Sequence, residues 1–157
     1  MPSDVTEIEV PQPSPWSNRV STADLLRVHP TPPPDDRLDV LAACVKGCYE
    51  SAESCTVCAD ACLGEQGVGQ LTACIRQCLD CAAICEATAR IVARQTASRP
   101  ELQRRQIEAC IAACATCADA CGAHAQQHDH CRLCRDTCLA CAALCKDLLA
   151  LMWPASR

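Results

Sequence analysis

Eighteen cysteines in 157 residues dominate the chemistry available to this sequence, and their spacing is regular. Cys74, Cys78, Cys81 and Cys85 follow steps of four, three and four, and Cys110, Cys114, Cys117 and Cys121 repeat those steps. Cys131, Cys134, Cys138, Cys141 and Cys145 extend the same alternation. Cys44, Cys48, Cys55, Cys58 and Cys62 form a fourth set, with Ser51 where one further step falls. Alternating three and four is the seam of a helical bundle. Each set therefore puts its sulfurs on one stripe, the stripe that faces the other helices.

Three chemistries compete for such a ladder. Disulfides fit poorly, because packed helix axes lie roughly 8–10 Å apart whereas a disulfide prefers Cα atoms within about 4.4–6.8 Å. A structural role fits poorly too. Free Cys packs as a small hydrophobe, and exchanging a core Leu for a smaller residue costs on the order of 2–5 kcal/mol. Metal binding remains. Zn(II) takes four ligands, so stacked Cys₄ zinc sites would accumulate negative charge in a dry core, which is expensive. Iron–sulfur clusters need wider cavities and usually loop ligands. Cu(I) is soft, monovalent and satisfied by two or three thiolates. If thiolates bridge, each ion offsets one sulfur charge, and capacity is on the order of 18 ions. Each bound ion displaces a thiol proton, so loading should depend on pH.

His124, His128 and His130 cluster near Cys121 and Cys131. His124 lies three residues past Cys121 and His128 three before Cys131. Both continue a thiol face and are expected ligands at a metal-uptake mouth. His130 is the weaker candidate and is expected to point outward, and Asp60 is a possible flanking group. His29 lies among prolines and is expected to be incidental.

The elements that must position these residues can be read from breakers and propensity. From Arg37 onward the chain is rich in Ala, Leu, Arg, Gln and Glu, which favours helix. Gly64, Gly67 and Gly69, then Ser98 and Pro100, then Gly122 through His130 divide it into helices at about 36–64, 69–97, 100–124 and 129–152. Short connections make antiparallel neighbours, giving an all-α, up-down-up-down four-helix bundle with a Cys-lined core over residues 37–152. Threading that topology expects levels of Cys62, Cys74, Cys121 and Cys131; Cys58, Cys78, Cys117 and Cys134; Cys55, Cys81, Cys114 and Cys138; and Ser51, Cys85, Cys110 and Cys141. Cys48, Cys145 and Cys44 continue toward an apolar plug of Leu41, Val92, Leu102, Ile107, Leu148 and Met152. Residues 1–36 hold eight of the ten prolines and no cysteine. They read as a mostly irregular, flexible extension with one helical turn near Thr22–Val28, capped by Ser21 or Thr22. Residues 153–157 form a short tail.

Composition narrows the function class. The net charge is −5, there is no Phe, and only one Tyr and two Trp occur, which argues against a nucleic-acid partner. No apolar run approaches the ~18 residues of a membrane span. The N-terminal residues lack the basic and apolar regions of an export signal, and the adjacent Arg104 and Arg105 lie mid-chain. A cytoplasmic location with reduced thiols is the expectation.

The run Glu108–Cys121, EACIAACATCADAC, followed by His124, His128 and His130-Cys-Arg-Leu-Cys, resembles the cytosolic branch of the bacterial copper storage proteins. The resemblance covers roughly residues 37–152. It implies a homotetramer of four-helix bundles that fill with thiolate-bound Cu(I), taken up at the His-bearing end. The ladder and the helix faces themselves lead to the expectation that all eighteen cysteines, with His124 and His128, hold metal. Ser51 departs from the pattern, and the Pro-rich extension lies outside it. An iron–sulfur electron-transfer protein and a zinc or general metal buffer are the alternatives. No thioredoxin-like C-x-x-C after a strand, Ser/His/Asp set or phosphate loop occurs, so the expectation is a non-enzyme.

Overall fold

The computed structural model describes residues 20–154. Four long helices carry the cysteine sets: α2 (Asp35–Gly64), α3 (Thr72–Val92), α4 (Pro100–Gly122) and α5 (Asp129–Met152), preceded by the short α1 (Thr22–Arg27). A 3₁₀ turn, Val68–Leu71, leads into α3. Helix α2 packs on α3 and α5, and α4 packs on the same two helices. The pairs α2/α4 and α3/α5 sit on the diagonals of a square, with the axis down the middle.

Local chemistry explains the boundaries. Pro34 precedes α2, and Asp35 and Asp36 place negative charge in its first turn, where unpaired N–H groups favour anions. Pro100 opens α4, a position where its missing N–H costs nothing. Ser21 and Asp24 form a reciprocal capping box on α1. Leu26 of that helix is buried against the bundle, so the extension contributes a packed turn. The expectation of a flexible tail otherwise concerns residues outside those described. Gly67 adopts a left-handed φ of 80° and closes the turn ahead of the 3₁₀ segment. Helix α3 ends at Val92, earlier than the sequence suggests, and Ala97 in the connection to α4 takes a φ of 50°.

All eighteen cysteines are buried and free. Flanking alanines, among them Ala59, Ala89, Ala118 and Ala142, are buried beside them, and small side chains let the helices approach closely. At Gly47 of α2 a Cβ would come 2.6 Å from Leu144 Cδ1 of α5. At the end remote from the histidines, Leu41, Val92, Ile107 and Leu148 are buried and Met152 packs against them. Leu102 does not join this plug and is 51 % exposed. Its neighbour Gln103 turns inward instead, since rotation by one residue carries a helix position about 100° around the axis.

Candidate metal centre

The core is a column of sulfur. Cys74 and Cys121 sulfurs lie 3.5 Å apart, and Cys62 and Cys131 sulfurs 3.9 Å apart, at the end near the α4–α5 turn. Below them, Cys58, Cys78, Cys121 and Cys134 place their sulfurs within 4.8 Å of one another, as do Cys55, Cys81, Cys117 and Cys138. Two further sets follow, Cys85, Cys110, Cys114 and Cys141, then Cys48, Cys110, Cys141 and Cys145. Cys44 completes the column, 3.7 Å from Cys145.

This differs from simple threading in one respect. Cys121, rather than Cys117, joins Cys58, Cys78 and Cys134, and Cys117, rather than Cys114, joins Cys55, Cys81 and Cys138. Side chains lean toward the N-terminus of their own helix, so antiparallel neighbours lean in opposite directions and interdigitate. Cys121 accordingly sits between Cys74, at 3.5 Å, and Cys78, at 3.6 Å. Cys55 sits between Cys138, at 3.5 Å, and Cys134, at 3.7 Å. The column is a zigzag and not a stack of flat squares.

The spacing suits a shared soft ion. A metal–thiolate bond of about 2.3 Å places two sulfurs about 3.8 Å apart at a tetrahedral angle and about 4.0 Å apart at a trigonal one. Many neighbouring sulfur pairs here lie 3.5 to 4.0 Å apart, the four-residue sets lie within 4.8 Å of one another, and all the thiols are free. Ser51 is fully buried in the same column. Its hydroxyl lies 3.6 Å from the Cys138 sulfur and 3.9 Å from the Cys114 sulfur.

At the histidine end the expected ranking is reversed. His130 does not point outward. Its Nδ1 lies 3.4 Å from the Cys58 sulfur, 3.5 Å from Cys131 and 4.0 Å from Cys62, and these four residues form one potential ligand set. His130 precedes Cys131, and the first turn of α5 folds its ring back over the α2 sulfurs. His128 occupies the N-cap position of α5 without a side-chain capping bond, and its Nδ1 contacts the Glu65 carboxylate at 3.1 Å. His124 is half-buried in the turn, and its described hydrogen bonds are made by its backbone. Asp60 is exposed. His29 bonds within its own turn, to Thr31.

Sequence reasoning missed Glu65. One of its oxygens, Oε1, faces both His128 Nδ1 and His130 Nε2, the latter at 3.2 Å. The hydrogen bonds from His130 and then His128 hold its carboxyl below the usual range. An Nε2–H donated to Glu65 leaves the His130 Nδ1 lone pair aimed at the three sulfurs, the carboxylate–histidine–metal arrangement that fixes a tautomer. The topology contained the signal, because the α2–α3 and α4–α5 turns must lie side by side at this end. The Cys62 thiol, taken out of water here, is pushed up to about 11, and burial raises Cys131 as well.

A helical bundle with a long column of free buried thiols and an imidazole at one end defines a class of thiolate metal-holding proteins. The copper storage protein (Csp) family model matches residues 38–150, and the chain belongs to that family. The copper storage protein Ccsp of Streptomyces lividans, loaded with 10 copper equivalents, superposes with a TM-score of 0.80 at 42 % identity, covering 83 % of this chain and 98 % of that one. A second structure, of the cytosolic copper storage protein of S. lividans with five coppers, gives a TM-score of 0.70 at 44 % identity over 71 % of this chain and 93 % of that one. The uncharacterized cysteine-rich protein YhjQ of Bacillus subtilis is 33 % identical over 108 residues, 69 % of this chain and 94 % of its own length. No helix among the described residues is long and apolar enough to cross a membrane.

Proposed function

We propose that this chain sequesters and stores Cu(I), taking up many ions per bundle through its eighteen core cysteines, with His130 at the uptake end. The observation that carries this reading is the uninterrupted burial of free thiols at spacings that fit bridging by a soft ion. A monovalent ion bridging pairs of thiolates leaves the filled core near neutrality, whereas divalent Cys₄ sites would each leave charge in a region closed to water. Storage accounts for the geometry without a catalytic role.

The cytosol is the compartment we assign, supported by the Streptomyces relative, itself a cytosolic copper storage protein, and by thiols that stay reduced there. A homotetramer is the assembly we assign. Tyr49, Val57, Leu79, Leu133 and Leu139 give the outer faces of the helices exposed apolar side chains that association would cover.

Metal competition tests the function. Reduced protein is offered equimolar Cu(I) and Zn(II) without oxygen, desalted and assayed for both metals. Copper should occupy the great majority of sites, and the product should be colourless in the visible. Retention of zinc in preference to copper, or a brown iron–sulfur chromophore in protein isolated from cells, would overturn the assignment.

A further inference from the structure

Ser51 sits at a ladder position, fully buried, and divides the thiol column unevenly. On the uptake side, the sulfurs of all four long helices meet at the level of Cys55, Cys81, Cys117 and Cys138. One step deeper, α2 offers a hydroxyl, a hard and uncharged donor that serves Cu(I) poorly. The α2–α5 wall is broken there: Cys138 meets the Ser51 hydroxyl at 3.6 Å, and α2 and α5 next exchange a sulfur contact at Cys48 and Cys141, at 3.8 Å. The α3–α4 wall is continuous. Cys81 reaches Cys85 at 3.7 Å and Cys114 at 3.9 Å, and Cys85 and Cys114 lie 3.5 Å apart. Among the described residues, each sulfur–sulfur hydrogen bond that crosses the Ser51 level ends on Cys85 or Cys114. Beyond them lie Cys44, Cys48, Cys110, Cys141 and Cys145, sealed at the far end by the apolar plug of Leu41, Val92, Ile107 and Leu148.

Resting on the storage reading above, we infer that Ser51 splits the store into two compartments joined by a one-sided neck, and that Cys85 and Cys114 are the positions through which Cu(I) reaches the inner compartment. Transfer through the neck is ligand exchange without redox change. The ion forms a bond to the Cys85 or Cys114 sulfur as that thiol loses its proton, and breaks a bond to Cys81, whose sulfur takes a proton back unless another ion replaces the first. Copper number and oxidation state are conserved. The outer compartment should fill first and the inner one after it, and copper should leave in the reverse order.

The experiment follows individual thiols. Reduced full-length protein is given substoichiometric to saturating Cu(I) without oxygen, quenched at intervals with an alkylating reagent under denaturing conditions, and mapped by peptide mass spectrometry. In the unsubstituted chain, protection of Cys48, Cys110 and Cys145 should lag behind that of Cys58, Cys78 and Cys134. In C85S/C114S the lag should lengthen at least tenfold. Adding Ser51→Cys to C85S/C114S should restore inner filling by rebuilding the other wall.

An equal lag for inner-thiol protection in C85S/C114S and the unsubstituted chain, or no recovery when Ser51→Cys is added, would overturn the neck. If C85S/C114S does not fold, as judged by its helical circular dichroism, Ser51→Cys alone decides. It should shorten the lag severalfold, and an unchanged lag would overturn the inference. Failure of storage itself looks different, because the unsubstituted chain would then protect only a few thiols at saturation.

Discussion

Replacing His130 by Ala isolates the uptake end from the store. The ring nitrogen is one of four potential ligand atoms in the set with Cys58, Cys62 and Cys131, and three sulfurs remain when it is lost. Equilibrium capacity should therefore fall by no more than one ion out of about 18. The rate should respond much more. Cys62, pushed up to about 11 by burial, is a reluctant ligand at neutral pH. The His130 ring, held toward the sulfurs by the contact of its Nε2 with Glu65 at 3.2 Å, adds a nitrogen donor beside them. Loss of a metal-orienting contact typically costs 10- to 100-fold, so initial loading of H130A should slow by at least about tenfold. Stopped-flow absorbance of the Cu(I)–thiolate band, with Cu(I) delivered from a weak chelator, gives the rate, and the end point gives the capacity. His124→Ala should change the rate less than about threefold, because the described contacts of that residue are backbone ones. A slow H124A beside an unaffected H130A would refute this account of the mouth, and so would an H130A that lost several ions of capacity while loading at the normal rate.

Three other perturbations probe the fold and the thiols. Leu148→Ala, at a fully buried position in the plug, should lower apo stability in urea by roughly 2–5 kcal/mol and leave saturating copper unchanged; a proportional loss of copper would make the plug part of the store. Ala97→Gly relieves a left-handed φ of 50° and should stabilise the apo protein by about 1 kcal/mol, read from the same urea curves. The Cys62 thiol is raised from 9.0 to about 11 in the folded chain, so the unfolded chain releases that proton at lower pH. Its contribution is fully present below pH 9 and is lost as pH rises toward 11. Apo stability should fall across that window, and a flat or rising midpoint would contradict the burial argument.

Much of this architecture was legible because one residue type carried the signal. The three-and-four alternation fixed the core face of α2 to α5, and Pro100, Gly64 and His128 marked ends within a few residues of those observed. Helix α3 stops at Val92, short of the breakers Ser98 and Pro100, where the Gln95 side-chain amide donates to the Val92 carbonyl, a local cap that no propensity announces. Leu102 read as core by hydrophobicity, but the helix phase set by the α4 sulfurs faces Gln103 inward instead. Cys121 and Cys117 each lie one step from their threaded level because side-chain lean, invisible to a one-dimensional register, interleaves antiparallel stripes. His130 was ranked below His124 for a related reason. Counting residues from the nearest Cys assumes that the helix continues, whereas the chain leaves α4 at Gly122 and restarts at Asp129. Glu65 carried no periodic signal and appears only when two turns distant in sequence are brought together.

The most direct test is an anaerobic titration of the fully reduced full-length protein with Cu(I) against a chelator of known affinity, counting copper and thiol in the same sample. Tight binding should continue to about one copper per cysteine, on the order of 18 ions per chain. Saturation at one or a few ions, with the remaining thiols still free to alkylate, would contradict the storage account.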